Sequence, residues 1–433
     1  MRTTETTVAI VGAGPAGLML ANLLQRRGVP TVVVERYSRE QVVTRARAGL
    51  LERRTVELLD RLGLSDRLRA EGTVHHGCEF RSGGEHFFLD YSAHYGGVPQ
   101  WVYPQQEVVS DLLDAYEEGG GDVRFRTHAT DVRWAGDRAE VDCAGVDCAG
   151  GDCSGGDDPA ADTPAGGVRS DAAGTTLRAE FVAGADGQHG ATRASVPGED
   201  VAEHFMQHEF RWLTLLAQAP PSAEHTVYAQ HERGFAGHLL RSAEVTRFHL
   251  QVPFEDSVED WPDERIWHEL RLRLAKPGWT LQEGEIFSKN MLEMQSRVSE
   301  PMRHGRAFLL GDAAHIITPS GGKGMNLAIA DAHELDRTLA HYWSIKDEFT
   351  GDASTLDRYS QRRLPDVWKT QEFSHALIHM MHTYPAGSPD AEFRQKLQQS
   401  RLWQLRHSPA HARAFAESYI GPPLGWPWDD GDA

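Results

Sequence analysis

Thr7-Val-Ala-Ile-Val11 runs straight into Gly12-Ala-Gly14-Pro-Ala16-Gly17, and Leu18 to Arg27 then follow a helical pattern closed by Gly28. A short apolar strand, three glycines at this spacing and a helix leave few folds open. The glycines permit a tight turn, a close approach of backbone to a pyrophosphate, and close packing of helix on strand. The helix N-terminus offers unpaired N–H donors and the positive end of its dipole to phosphate. Thr31-Val-Val-Val34 reads as a second strand that ends on Glu35, 18 residues past Gly17, where a carboxylate accepts from ribose hydroxyls. The unit predicts a dinucleotide-binding strand–helix–strand fold. By itself it does not choose between flavin and nicotinamide dinucleotides.

A second motif makes that choice. Arg306-Ala-Phe-Leu-Leu-Gly-Asp-Ala-Ala-His315 is a buried strand that runs into Gly311-Asp312, and a helix is predicted from about Gly324. In flavin enzymes such a Gly-Asp sets a carboxylate on the ribitol, and the next helix N-terminus points its dipole at the isoalloxazine, where negative charge builds on reduction. Asp186-Gly-Gln-His189, with Arg193 close behind, is a third element. Each Asp-Gly alone is a common turn; the three in this order predict FAD.

At 433 residues the chain has room for a nucleotide part and a substrate part. Residues 1–195 are expected to form an α/β, Rossmann-like FAD-binding domain. Residues 196–300, with runs such as Arg211–Ala217 and Arg247–Val252, read as a mostly antiparallel substrate sheet. Residues 301–433 carry the Gly-Asp segment and then C-terminal helices. Leu50–Leu62 and Val108–Tyr116 read as amphipathic helices, the second with Val109, Leu112, Leu113 and Tyr116 on one face. Within 141–174, Val-Asp-Cys-Ala-Gly is written twice and followed by Gly-Asp-Cys-Ser-Gly. This segment holds seven Asp and one Arg. Such composition predicts a mobile, dispensable insert.

The net charge of -19 argues against nucleic acid or an anionic membrane surface as partner. No run reaches the ~18 apolar residues of a membrane helix, and the N-terminus lacks the features of a signal peptide, so a cytoplasmic address is expected. Four cysteines, three of them inside the insert, suggest neither a disulfide framework nor a metal site.

Arg45-Ala-Arg-Ala-Gly-Leu-Leu-Glu52, Tyr228-Ala-Gln-His-Glu-Arg-Gly-Phe-Ala236, Val258–Arg265 and Gly311-Asp-Ala-Ala-His-Ile316 carry the chain further. In these stretches it resembles the para-hydroxybenzoate hydroxylase family of single-component, FAD-dependent aromatic monooxygenases. The resemblance spans nearly everything outside 141–174 and the tail. It implies FAD contacts from Gly12, Gly14, Ala16, Gly17, Glu35, Arg36, Arg47, Gln105, Asp312 and the stretch Lys323, Gly324, Met325 and Asn326. It implies that Tyr228 meets a para-hydroxyl of the substrate, that Tyr419 and His75 continue a proton relay, and that Pro319 lies beside the ring. Arg241 would pair with a carboxylate, with Trp212, Leu239, His249, Thr226 and Gly237 around the substrate. Arg45 and His189 would serve NADH or NADPH. The implied partners are a small aromatic acid and O2, and the implied state is a monomer or homodimer.

The chain departs from that family at Leu239 and His249, where a serine and a tyrosine usually contact the carboxylate. It departs also at Thr226 and Gly237, where bulkier aliphatics are usual, and at Gln295, which replaces an arginine used for the nicotinamide nucleotide. These changes point to 4-hydroxybenzoate or to a ring-substituted relative such as 3-amino-4-hydroxybenzoate. His249, ordinarily titrating near neutrality, would add a second cation. A flavin halogenase is disfavoured by the lack of a Trp-x-Trp-x-Ile segment, and a flavin-binding sensor would need no relay.

Overall fold

A computed structural model of the chain describes residues 2–45, 49–135, 138–146, 174–345, 353–384 and 389–425. Two eight-stranded sheets organise it. In the first, Ala307–Leu309, Thr175–Gly184, Arg2–Val11, Thr31–Val34 and Asp122–Arg124 lie side by side and run parallel. A parallel sheet is buried on both faces, which is why its strands read as unbroken apolar runs. Val8 and Ile10 face the helices Pro15–Arg26, Gln105–Glu118 and Gly324–Ile345, while Ala9 and Val11 face the hairpin of Thr127–Ala135 and Arg138–Gly145. Each such Val or Ile contributes about 1.5–3 kcal/mol on burial.

The second sheet runs His315–Ile316, Glu285–Glu300, Ala202–Gln218, Thr246–Pro253, Ala236–Leu240, Thr226–Gln230, Cys78–Ser82, Glu85–Leu89. It is antiparallel except where Thr226–Gln230 pairs parallel with Cys78–Ser82. One face packs Leu213, Leu215, Val227, Phe248 and Leu250 against Ile266, Trp267 and Leu270. The opposite face carries Trp212, Tyr228 and Phe235 toward the helices Arg358–Met381, Ala391–His407 and Pro409–Ile420.

Several sequence expectations are corrected here. Leu50–Leu51 is a strand, and the helix begins at Arg53, because Leu50 and Leu51 pair with Trp101 and Val102 in a small third sheet. The strand-rich region contains a helix, Asp263–Arg273. The substrate sheet takes its hairpin Cys78–Leu89 from the N-terminal part of the chain.

The expected insert also starts too early. Val141 and Cys143 are buried in a strand that pairs with both Thr175–Gly184 and Thr127–Ala135, so the first copy of the repeat belongs to the sheet. Residues 147–173, with Cys148 and Cys153, lie outside the described residues. Replacing 147–173 by a short Gly-Ser turn is expected to leave the thermal midpoint and flavin content unchanged. Extending the cut back to 141 is expected to lower both; equal behaviour of the two variants would refute the boundary.

Candidate active site

At the dinucleotide turn the glycines are required one by one. Gly12 has φ +104°, and a Cβ there would lie 2.3 Å from the Ala185 carbonyl oxygen; one on Gly17 would lie 2.0 Å from that of Gly12. Around Gly14, the N-cap of the helix Pro15–Arg26, a Cβ would meet nothing within 4 Å. The turn therefore leaves a gap at the helix N-terminus, the place where a pyrophosphate binds.

Glu35 is buried and accepts from the N–H groups of Ala13 and Tyr37, each at 2.8 Å, which ties the turn to the end of the second strand. Burial pushes its pKa up. Asp186 accepts from the Thr192 N–H (2.9 Å) through one oxygen, while its buried Oδ1 has no partner; burial raises it to about 6. An orphaned carboxylate oxygen beside the turn suits a ligand hydroxyl, so the residues present fit a dinucleotide. Arg36 and Arg45 both lie over the Tyr37 ring, and Gln105 opens its helix. Arg47 lies outside the described residues.

The flavin-side loop is held by a residue that sequence reading missed. Asp331, fully buried on the helix Gly324–Ile345, accepts from the Gly311 N–H (2.9 Å) and from Arg363 (2.7 Å) and sits 2.7 Å from His315 Nε2. It fixes Gly311, at φ +55°, and so leaves Asp312 exposed at the loop. Asp331→Ala would leave the buried Arg363 guanidinium with Asp366 as its one carboxylate partner among the described residues and remove the acceptor of the Gly311 N–H. The expected loss is about 3–5 kcal/mol in urea unfolding of the FAD-bound protein; a loss below about 1 kcal/mol would show that this anchor is dispensable.

Lys323 and Asn326 have their side chains engaged within the protein. Lys323 Nζ donates to Glu52 (2.9 Å) and to the Tyr419 carbonyl (2.7 Å). Asn326 accepts from the Glu52 N–H and Thr55 and donates to the carbonyls of Leu50 and Gly322. Gly324, Met325 and Asn326 thus offer their backbone as the first turn of that helix.

The substrate wall follows from strand register. Tyr228 stands opposite Gly237, Gly237 opposite His249, and His249 opposite Thr214, so these residues share one face of the sheet. Trp212, two residues from Thr214 on its strand, and Phe235, just before the strand Ala236–Leu240, join them; Trp212 stacks on His249 at 4.6 Å and on Phe235 at 5.2 Å. The Tyr228 and Tyr419 hydroxyls share a hydrogen bond of 2.6 Å, and the Ser320 carbonyl, in the turn Pro319–Gly321, is 3.5 Å from Tyr228. Burial pushes both phenols well above the usual range. Arg241, just beyond Ala236–Leu240, donates to Gln106 (3.2 Å), and Leu239 and Thr226 lie on the same face as Gly237 and Tyr228.

Two expectations at this wall are corrected. His249 is buried against Trp212 and held well below its ordinary pKa, so it is a neutral partner of Thr214 (2.9 Å) and supplies no second cation. The room beside Gly237 is filled: a Cβ there would lie 3.1 Å from the Phe235 ring. The third relay member is also not joined to the other two by any hydrogen bond among the described residues. His75 is buried with Nε2 unpartnered and burial lowers it to about 4, while its strand neighbour Gln100 donates to the Tyr419 carbonyl. His189 is exposed, next to a Gln188–Gln295 contact of 3.4 Å. His382 was not foreseen: it accepts from Trp212 Nε1–H (2.7 Å) and fixes that ring.

A dinucleotide turn, a Gly-Asp loop and a paired-tyrosine wall on a second sheet define a flavin-dependent aromatic hydroxylase. Residues 5–147 and 156–374 match the FAD binding domain family, and the chain belongs to it. It is 35% identical to p-hydroxybenzoate hydroxylase of Acinetobacter baylyi across 98% of this chain and 97% of that protein, and so belongs to the para-hydroxybenzoate hydroxylase family. A 3-(3-hydroxy-phenyl)propionate/3-hydroxycinnamic acid hydroxylase of Mycobacterium sp. is 29% identical over 83% of this chain and 57% of its own length. The fold is shared with p-nitrophenol 4-monooxygenase from Pseudomonas putida DLL-E4, at TM-score 0.76 and 21% identity, covering 97% of this chain and 99% of that one. The protein is an FAD-dependent monooxygenase of aromatic substrates. Among the described residues no helix is long and apolar enough to cross a membrane.

Proposed function

We propose that the enzyme hydroxylates a 4-hydroxybenzoate-type aromatic acid, consuming O2 and NADH or NADPH. The observation that carries this reading is the Tyr228–Tyr419 hydrogen bond of 2.6 Å on the wall beside Pro319–Gly321. FAD, when bound in the Gly12–Gly17 turn and beside Asp312, supplies the activated oxygen. The side chains have the remaining tasks. Oxygen insertion is electrophilic, so the ring must be electron-rich, and removing the para-hydroxyl proton makes it so. Tyr228 takes that proton as it hands its own to Tyr419, and Tyr419 releases its own proton in the same motion, by way of water, toward the unpartnered Nε2 of His75 and solvent, so neither phenol has to persist as an anion in its buried setting. Arg241 offers a planar fork to the carboxylate, steadied by Gln106. Trp212, Phe235 and the neutral His249 exclude water from the ring.

One observation favours a ring-substituted substrate. Thr226, two residues from Tyr228 on the same face of its strand, puts a small hydroxyl-bearing side chain where the family has a bulkier aliphatic, and it suits an amino group next to the para-hydroxyl. Coupled NAD(P)H oxidation with product mass, run on 4-hydroxybenzoate and 3-amino-4-hydroxybenzoate, tests both. The amino acid is expected to give the higher kcat/KM and a product heavier by one oxygen. Higher efficiency with plain 4-hydroxybenzoate would remove the second reading, and no stimulation by either acid would remove the first.

A further inference from the structure

The helix Arg358–Met381 is fastened at three places, each at a different part of the site. Near its start Arg363 donates to Asp331 (2.7 Å), the residue that holds Gly311. Further on, the Ser374 hydroxyl donates to the Thr318 carbonyl (3.0 Å), and the Ser374 carbonyl accepts from the Ser320 hydroxyl (3.1 Å), so the helix grips the turn Pro319–Gly321. At its end the buried His382 meets the aromatic wall. From Ser374 to His382 is eight residues, about 12 Å of helix. One helix therefore ties the flavin-side turn to the Trp212–Phe235 wall.

Both nitrogens of His382 are used. Nδ1–H donates to the Ile378 carbonyl (3.1 Å), and Nε2 accepts from Trp212 Nε1–H (2.7 Å). This pattern needs a neutral ring protonated on Nδ1, and burial lowers the pKa of His382 to about 3. The imidazole lies nearly parallel to the indole (11°), joined to it edge to edge, and packs against Phe210 (4.7 Å) and Phe235 (4.6 Å). Two glutamines fasten the same turn to neighbouring strands. Gln251, opposite Trp212 in the sheet, accepts from the N–H groups of Phe235 and Thr383, each at 3.0 Å, and donates to the Thr383 carbonyl (2.7 Å). Gln398 donates to the carbonyls of His379 (2.8 Å) and His382 (2.5 Å) and accepts from Gln230 (2.7 Å), two residues past Tyr228.

We propose that His382 is a positioning residue for the hydroxylation: it sets the plane of Trp212 and, through its helix, the distance of that ring from the turn Pro319–Gly321, so that the aromatic acid is presented to the activated oxygen at one angle. This role rests on the reading of Trp212 as a wall of the acid's site. A packed indole can slide and turn in its own plane, and a hydrogen bond to its single N–H stops both. Misplacing a reacting ring by about 1 Å costs on the order of 10²-fold. His382 therefore governs coupling, the share of NAD(P)H that ends in product, more than it governs binding.

The test uses the FAD-bound enzyme with 4-hydroxybenzoate and 3-amino-4-hydroxybenzoate. His382→Phe keeps a ring in place and lacks the acceptor, whereas His382→Gln keeps an acceptor. His382→Phe is expected to retain its flavin and to yield about tenfold less product per NAD(P)H consumed, the rest leaving as hydrogen peroxide, while KM changes less than about threefold. His382→Gln should recover most of that loss. Trp212→Phe has no N–H to place, so adding His382→Phe to it should cost nothing further. Wild-type coupling in His382→Phe, no recovery in His382→Gln, or an undiminished loss in the Trp212→Phe background each overturns the proposal. Solvent exchange of the Trp212 indole N–H, followed by NMR on tryptophan-labelled enzyme, needs no substrate. It should be slow in the wild type and in His382→Gln, and about tenfold faster in His382→Phe. If neither acid stimulates the wild type, the substrate reading fails on its own, and the exchange rates decide whether His382 holds Trp212; equal rates in all three proteins overturn that.

Discussion

Tyr228→Phe is expected to keep its flavin and consume NAD(P)H on addition of the aromatic acid, yet to hydroxylate about 10²–10⁴-fold more slowly, the usual span of general acid–base assistance. Loss of the phenol removes the hydrogen bond to Tyr419 and with it the first step of the proposed path for the para-hydroxyl proton. The ring then stays poorly nucleophilic, and the reduced oxygen leaves as hydrogen peroxide. Tyr419→Phe should fail in the same way, and the double variant should be little worse than either single one, because the two hydroxyls act in series. The ratio of product to NAD(P)H consumed separates this from weakened binding, which would raise KM and leave the ratio alone. Unchanged rate and coupling in Tyr228→Phe would refute the relay.

A second large effect is expected in acid. His75, His238, His249 and His382 are buried, and burial holds all four well below the ordinary value, near 4 for His75 and His238 and near 3 for His382. In the unfolded chain they titrate near 6.5. Below that pH the unfolded state binds more protons, so stability falls as pH falls, until the native histidines titrate near 4. Asp186, raised by burial to about 6, and Glu35, pushed up by burial, act in the opposite sense and offset part of this uptake. Each proton of net difference corresponds to about 1.4 kcal/mol per pH unit. Urea midpoints of the FAD-bound enzyme should therefore drop steeply from pH 6.5 to 4.5; a flat profile would refute neutral burial of these imidazoles.

Much of this site was legible in the sequence because it is written locally. The glycine turn, Glu35 and Gly311-Asp312 each sit at a strand end, where apolar runs and glycines mark position. Tyr228, Tyr419 and Arg241 were named only through resemblance, since nothing in their own neighbourhoods distinguishes them from packed aromatics and a surface arginine. Asp331, the Lys323–Glu52 pair, His382 and the Phe235 ring over Gly237 were not legible. Asp331, the Lys323–Glu52 pair and His382 act across tertiary contacts whose partners lie far apart in the chain, and no periodicity records such a contact. His249 was misjudged for the same reason: its charge depends on the Trp212 ring stacked against it, which only the fold supplies. The first copy of the Asp-Cys repeat misled in the opposite direction, because composition concealed the alternation that buries Val141 and Cys143.

The parallel pairing of Cys78–Ser82 with Thr226–Gln230 bears on how the polypeptide is made. Roughly 140 residues separate the hairpin from the strand that covers its edge, about 7–30 s of synthesis at 5–20 residues per second. Throughout that interval the nascent chain carries an uncapped hairpin with three phenylalanines (Phe80, Phe87 and Phe88), open to pairing with a neighbouring ribosome's product. Yield in a heterologous host should thus depend on early chaperone capture more than on the stability of the finished enzyme.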